Sequence, residues 1–281
     1  MTVKESSQLI VQELKHQYPL PEIESFIYLI FNHFMGFRRF DVNLKPDVTI
    51  PNHLELQIYD IIEQLKHNKP IQYILSTTEF YGLPFYVDES VLIPRPETEE
   101  LVKWILDDYV GFIPRIIDLG TGSGCIPIAL AKNLSNAEVF AADISEESIV
   151  TAKRNAKQNE VHVEFLKLDI LADTLPYLGL FDVVVSNPPY VTLKQKDRME
   201  ENVLDYEPHL ALFVPENDPL VFYKAISEFA SNHLKTGGSL YFEINEALYI
   251  ETERAVSQFG FSTELRKDIN GKYRMLKARL L

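Results

Sequence analysis

The chain has 281 residues, 46% of them hydrophobic, one cysteine and a formal net charge of −14 at pH 7. That composition supports one large domain or two smaller ones and excludes a disordered chain. The single cysteine excludes an internal disulfide and fits a reducing compartment, the cytoplasm. No apolar run reaches the ~18 residues of a membrane helix, and the first twelve residues are too polar for a secretion signal. So acidic a surface repels long polyanions, so neither a membrane nor direct contact with nucleic acid is expected.

Residues 4–17, 21–36 and 53–67 read as three amphipathic helices punctuated by Pro19, Pro21, Gly36, Pro46 and Pro51. The run Phe26-Ile27-Tyr28-Leu29-Ile30-Phe31 is apolar nearly all round and predicts the central helix of a small bundle. The expected first domain is therefore residues 1–70. A helical bundle ahead of a catalytic core suits partner docking, with a purely structural role as the alternative. His16, His33, His53 and His67 have no cysteines or carboxylates in ligand-like spacing and read as solvated or capping residues, so no metal is expected.

Residues 71–96 change character. Extended stretches around the Gly82-Leu83-Pro84 turn signal predict a β-hairpin linker. Ile93-Pro94-Arg95-Pro96-Glu97-Thr98-Glu99 then passes from a rigid segment into a helix, with Glu97, Glu99 and Glu100 matched to the helix dipole.

Within residues 97–281 strands and helices alternate. Strands are expected at residues 115–119, 138–142, 163–168, 181–186, 239–244, 263–268 and 274–279, and helices at 124–134, 145–159, 220–234 and 247–259. This order predicts an α/β fold with a seven-stranded, mostly parallel sheet covered on both faces. No helix separates the last two strands. Asn270-Gly271 makes them a hairpin, with an antiparallel strand at the sheet edge.

Two stretches carry chemistry. Asp182-Val183-Val184-Val185-Ser186 reads as a buried strand, and Asn187-Pro188-Pro189-Tyr190 ends it. Proline has no N–H to donate, so the ladder stops there and leaves Asn187 at the carboxyl end, the edge where open α/β sheets bind ligands. An amide oxygen, a rigid carbonyl and an aromatic ring in four residues suit a planar group bearing NH2. Taken alone, the tetrapeptide reads equally well as a proline-terminated strand with a capping asparagine.

The second stretch is Asp118-Leu119-Gly120-Thr121-Gly122-Ser123-Gly124, a strand running into a glycine-rich turn that opens a helix. Its Gly-x-Gly-x-Gly spacing differs from the Gly-x-Gly-x-x-Gly of pyrophosphate sites. Asp118 adds an anion that is awkward for a phosphate and suited to an ammonium. Asp143 ends the next strand, placed to accept both hydroxyls of a ribose. Asp169 and Ile170 follow the third strand, one to accept an exocyclic amine and the other to pack on an adenine ring. Together these residues fit an amino-acid-bearing nucleoside without phosphates, S-adenosylmethionine. Cys125 reads as a small buried residue rather than a nucleophile.

The combination resembles class I, Rossmann-like methyltransferases with the Asn-Pro-Pro-Tyr signature, which methylate a nitrogen conjugated to a π system. Glu79-Phe80-Tyr81-Gly82-Leu83-Pro84-Phe85, Ile93-Pro94-Arg95-Pro96-Glu97-Thr98-Glu99 and Tyr206-Glu207-Pro208 resemble more narrowly the HemK-like glutamine-N5 methyltransferases of peptide-chain release factors. The resemblance runs from about residue 70 to the end. It implies a monomer that docks a release factor through its helical domain and methylates the glutamine of the Gly-Gly-Gln loop, with S-adenosyl-L-homocysteine as product. By the same analogy, Asn187 and Pro188 hold the substrate amide, Pro189 and Tyr190 pack against the substrate, and Arg95, Glu97 and Glu207 shape the wall of the site. Ser76, Asn245 and Pro219 stand where the family favours glycine.

Three other readings compete with this one. A sister group methylates a glutamine of a ribosomal protein, Asn-Pro-Pro-Tyr serves adenine N6 or guanine N2 equally well, and a scaffold could bind the cofactor without catalysis. The charge of −14 argues against nucleic acid.

Overall fold

The structure, a computed structural model, describes residues 1–172 and 174–280, leaving aside the side chains of Leu193, Asp197 and Arg198. The chain forms two units, Met1–Ser76 with Glu200–Tyr206, and Thr77–Met199 with Glu207–Leu281. Among the described residues no helix is long and apolar enough to cross a membrane.

The first unit is helical, with α1 (Val3–Leu14), α2 (Leu20–Met35), α3 (Asp41–Leu44), α4 (Asn52–Lys66) and α5 (Ile71–Leu75). A reciprocal capping box starts α1: Glu5 N donates to Thr2 Oγ1 at 3.2 Å, and Thr2 N donates to Glu5 Oε2 at 2.7 Å. Pro19 caps α2 and Gly36, with φ 65°, ends it in the left-handed conformation. Ile10, Leu14, Ile23, Ile30, Phe31, Leu54 and Ile58 are fully buried in one core.

Two features of this unit depart from expectation. Residues 71–75 were expected to be extended, as part of the linker, but form helix α5, with Ile71, Tyr73 and Leu75 buried. A five-residue apolar run fits either period, and packing against the bundle core decides it. Residues Glu200–Tyr206, far along the chain, also fold into this unit and include α9 (Glu201–Tyr206). Tyr206 donates its hydroxyl to His67 O at 2.8 Å, and Asn68 Nδ2 donates to Glu201 at 3.0 Å.

The second unit opens with an antiparallel hairpin, β1 (Thr78–Phe80) and β2 (Leu83–Phe85), followed by α6 (Pro96–Asp108). Then come β3 (Arg115–Leu119), α7 (Cys125–Asn133), β4 (Glu138–Asp143), α8 (Glu146–Gln158), β5 (Glu164–Lys167) and β6 (Phe181–Ser186). A two-residue parallel pair, β7 (Val191–Thr192) and β8 (Phe213–Val214), brackets α10 (His209–Leu212). The chain closes with α11 (Val221–His233), β9 (Leu234–Glu243), α12 (Tyr249–Ser257), β10 (Phe261–Lys267) and β11 (Tyr273–Leu280).

The main sheet has the order β10-β11-β9-β6-β3-β4-β5. Alternate residues feed two cores, as a period of two requires. Ile116, Val183, Val185 and Tyr241 pack under α6 and α7, while Ile117, Val184, Leu240 and Phe242 pack under α11 and α12. The expected hairpin is present, with β10 at the sheet edge and paired antiparallel to β11. β11 lies between β10 and β9 and runs antiparallel to both, so the hairpin folds its second strand inward. The burial pattern gives the reason: Met275, Leu276, Lys277 and Ala278 are buried in succession, whereas β10 alternates and tolerates an edge.

Ser76 ends α5 at φ 52°, a left-handed conformation that costs a side chain about 1–2 kcal/mol and glycine little. Offset by the greater freedom of glycine in the unfolded chain, Ser76→Gly is expected to raise unfolding stability by about 0.5–1 kcal/mol. Urea denaturation of the two proteins measures this directly.

Candidate active site

Four parallel strands end on one edge, and each delivers a polar residue to it: Asp118 from β3, Asp143 from β4, Asn187 just past β6, and Glu243 from β9. Below that edge lies a cavity of about 280 Å3. This is near the lower end of the roughly 300–1,000 Å3 usual for small-molecule sites. Its wall includes every residue of the segment Leu119–Ser123, together with Asp143, Asp169, Ile170, Asn187, Pro188 and Pro189.

The glycine turn is held from both sides. Gly122 N, at φ 53°, donates to Asp143 Oδ2 at 2.8 Å, and Ser145 N donates to Asp143 Oδ1 at 2.9 Å. A carboxylate has about four acceptor positions, so two remain for a ligand. Gly124 has φ 80°, and a Cβ there would come within 3.0 Å of Ala152 and Ile128, so the turn packs onto α8 through the missing side chain. Asn155 of α8 then clamps the loop to the chain leaving the hairpin. Its Nδ2 donates to Tyr86 O at 3.0 Å and Ser123 O at 2.9 Å, and its Oδ1 accepts from Tyr86 N at 2.7 Å.

Asp118 is fully buried, and neither of its carboxylate oxygens has a hydrogen-bond partner among the described residues. Desolvation pushes it up to about 7, and the neighbouring Asp143 adds to the rise. The Thr121 hydroxyl tempers the shift without closing a well-formed hydrogen bond. Asp118 lies directly behind the Leu119–Ser123 wall of the cavity without lining it, and an orphaned acceptor pair there favours a cationic donor. Asp143 is also raised, first by desolvation, against the pull of its backbone N–H donors. Asp169 sits beyond the end of β5 with Oδ1 accepting from Leu171 N at 2.9 Å. Cys125 is buried and its thiol pushed up to about 12 by desolvation, inert as expected.

The prolines leave Asn187 with a defined set of neighbours. Its Nδ2 donates to Thr98 Oγ1 at 3.3 Å, and Thr98 donates to Glu243 Oε2 at 2.6 Å. The other Glu243 oxygen accepts from the Tyr190 hydroxyl at 3.2 Å. Glu243 is buried and held above the usual carboxylate range by desolvation, despite Thr98, Arg274 and Tyr190.

Three expected wall residues are placed differently. Tyr190 turns its ring into the core under α11, its hydroxyl held by Glu243, and it is not on the cavity wall. Glu97 does not line the cavity either, and of the expected cofactor residues Asp118 and Gly124 stay behind its wall. Arg95 does, and Glu207 stands behind it, its Oε1 2.6 Å from the Arg95 guanidinium. Burial lifts Glu207 above its ordinary range and Arg95 opposes that lift.

The methyltransferase small domain model matches residues 98–206. A release factor glutamine methyltransferase of Flavobacterium psychrophilum is 49% identical over 99% of this chain and 99% of its own. The chain belongs to that family. A release factor glutamine methyltransferase of Bacteroides thetaiotaomicron is 42% identical over 96% of this chain and 97% of its own. Among solved structures, a 16S rRNA N2 methyltransferase of T. thermophilus in complex with AdoMet and guanosine shares the fold, with a TM-score of 0.52 and 18% identity over 73% of this chain and 50% of that one.

This methyltransferase therefore has an S-adenosylmethionine-dependent fold, and its site contains residues that motif reading missed. Thr98, Glu243 and Asn155 are conspicuous only in three dimensions. The one sequence signal is that Glu243 is an acid at the end of an apolar strand; Thr98 sits among Glu97, Glu99 and Glu100 and does not stand out. Asn245, one of the departures from the family pattern, does reach the site: its Nδ2 donates to Tyr190 O at 2.9 Å, and its Oδ1 accepts from Ala247 N at 2.9 Å. With φ −68° this position has no need of glycine.

Replacing Asn155 by alanine leaves Tyr86 N, Tyr86 O and Ser123 O without their partner. At about 1–3 kcal/mol for each buried group left unmet, softened by water entry, Asn155→Ala is expected to cost about 2–4 kcal/mol of stability. Chemical denaturation followed by circular dichroism checks it.

Proposed function

We propose that this enzyme transfers a methyl group from S-adenosylmethionine to the side-chain N5 of the glutamine in the Gly-Gly-Gln loop of a peptide-chain release factor, leaving S-adenosyl-L-homocysteine. The observation that carries the reading is the juxtaposition on one cavity wall of Asn187-Pro188 with the glycine turn Gly120–Ser123 and Asp143. Membership of the release factor glutamine methyltransferases supplies the acceptor. Release factors act in translation, so the cytoplasm is the expected compartment.

In this reading Asp118 receives the ammonium of the cofactor's methionine part, the Gly120–Gly124 backbone faces it, and Asp143 accepts the ribose hydroxyls. Ile170 packs on the adenine, and Asp169 takes the exocyclic amine. The cofactor supplies an electrophilic methyl on a sulfonium sulfur. A carboxamide nitrogen is a poor nucleophile because its lone pair is delocalised into the carbonyl. Asn187 Oδ1 and the Pro188 carbonyl accept its two hydrogens, which aims the nitrogen and favours the positive charge that develops on it. Orientation of this kind is worth up to about 7 kcal/mol or more, and acceptors matched to developing charge add about 3 kcal/mol. Pro189 and the Arg95–Glu207 pair bound the acceptor side, with Tyr190 supporting the loop from behind.

Incubated with cofactor and a release factor, the enzyme is expected to add the mass of one methyl to the Gly-Gly-Gln peptide. Asn187→Ala is expected to lower turnover by about 100-fold or more while cofactor binding persists. Methylation of tRNA, rRNA or DNA in place of the release factor, or undiminished turnover in the variant, defeats the assignment.

The raised pKa of Asp118 makes cofactor affinity depend on pH. An ammonium binds the ionised carboxylate, so below about pH 7 the group must first lose a proton. Calorimetric affinity for S-adenosylmethionine is expected to rise roughly five- to tenfold from about pH 6 to about pH 7.5 and then flatten. Asp118→Asn is expected to weaken binding and abolish that dependence.

A further inference from the structure

The amide of Asn187 is useful to an NH2 group only if its oxygen, not its nitrogen, points into the cavity. Nothing in the Asn-Pro-Pro-Tyr loop decides between the two ends of a planar amide, because they have the same shape. The decision comes from outside the loop. Thr98 Oγ1 has one proton, and Glu243 Oε2 takes it at 2.6 Å. The hydroxyl is then only an acceptor on its other side, and the end of Asn187 that meets it at 3.3 Å must be the N–H.

We propose that Glu243, acting through the Thr98 hydroxyl, is the positioning device that turns the Asn187 carboxamide so that Oδ1 faces the acceptor substrate. The inference deepens the methyl-transfer reading and rests on it. Glu243 is anchored for this task from its other side. The Tyr190 hydroxyl donates to Oε1 at 3.2 Å, and Tyr223 donates to the Glu243 backbone oxygen at 3.3 Å. Thr98 is 2% exposed and Glu243 is 2% exposed, so water does not compete for the relay. Three different elements contribute: Thr98 from the first turn of α6, Glu243 from the end of β9, and Asn187 from the end of β6. A strongly hydrogen-bonded acid is an expensive residue to bury, and here its direct partners are Thr98 and Tyr190, beside Asn187 in space and in sequence respectively. Glu243 does not reach the reacting atoms and is a positioning residue.

The test is steady-state kinetics of full-length variants with a release factor as substrate, alongside calorimetric cofactor affinity and thermal melting. Thr98→Val keeps the shape and removes the hydroxyl. It is expected to lower kcat by about 10- to 100-fold while KM for the release factor and cofactor affinity move by less than about threefold. Thr98→Ser restores the hydroxyl and is expected to recover kcat to within about threefold of the parent. Glu243→Gln brings an N–H donor that competes for the Thr98 oxygen, and kcat is expected to fall by about tenfold or more. Thr98→Ala replaces the valine variant in the comparison should that one fail to fold. The proposal is overturned if both hydroxyl-free Thr98 and Glu243→Gln turn over within about threefold of the parent while Asn187→Ala is inactive. It is also overturned if Thr98→Ser is as impaired as Thr98→Val, since the loss would then be one of packing. Full turnover by Asn187→Ala is a different failure, that of the methyl-transfer reading itself.

Discussion

Two prolines in succession remove two donors from the chain directly after β6, and much of the site follows from that loss. A parallel strand cannot extend through residues without N–H groups, so Ser186 is the last to pair, opposite Phe242 of β9. Asn187 emerges where its neighbours in the sheet also end. Because β9, β6, β3 and β4 run in the same direction, their carboxyl ends form one rim; Asp143 and Asn187 line the cavity there, while Asp118 and Glu243 are buried behind it.

The acids on and behind this rim are expensive to maintain. Asp118, Asp143, Glu207 and Glu243 are each held above the usual carboxylate range, with desolvation the leading cause in every case. They differ in what compensates. Asp143 has backbone donors, Glu207 has Arg95, and Glu243 has two hydroxyls, whereas Asp118 has no hydrogen-bonded partner among the described residues. Burial without compensation is the costlier state, and among these four acids it falls on Asp118 alone.

The motifs that carry the family resemblance mark where the chain turns rather than everything that holds it there. The glycine turn was legible because each glycine sits between a strand and a helix, and all three glycines do adopt positive φ. Asn155, which ties that turn to the hairpin exit, sits in an ordinary helical sequence and announces nothing. Tyr190 was legible as an aromatic ring beside the prolines. Its direction was not, because an aromatic side chain after a turn fits either a cavity or a core, and the buried acid that captures its hydroxyl lies 53 residues away. Ser76 and Asn245 illustrate two kinds of departure. The first keeps the left-handed backbone a glycine would adopt, and the second has no such strain and spends its side chain on the Tyr190 loop.

From the order of residues alone came the alternation of strands and helices, the parallel sheet, the closing hairpin and the two loops at the carboxyl edge. These depend on periodicity and on glycine and proline, whose effects act within a few residues of themselves. Tertiary structure alone placed β11 inside the sheet, drew residues 200–206 into the helical unit, made residues 71–75 a helix, and linked Thr98 to Glu243 and Asn187. Each of these rests on partners from distant parts of the chain, or on burial that equal local preferences cannot decide. That is why a strand end could be read from two prolines, while the orientation of the asparagine beside them required an acid from another strand.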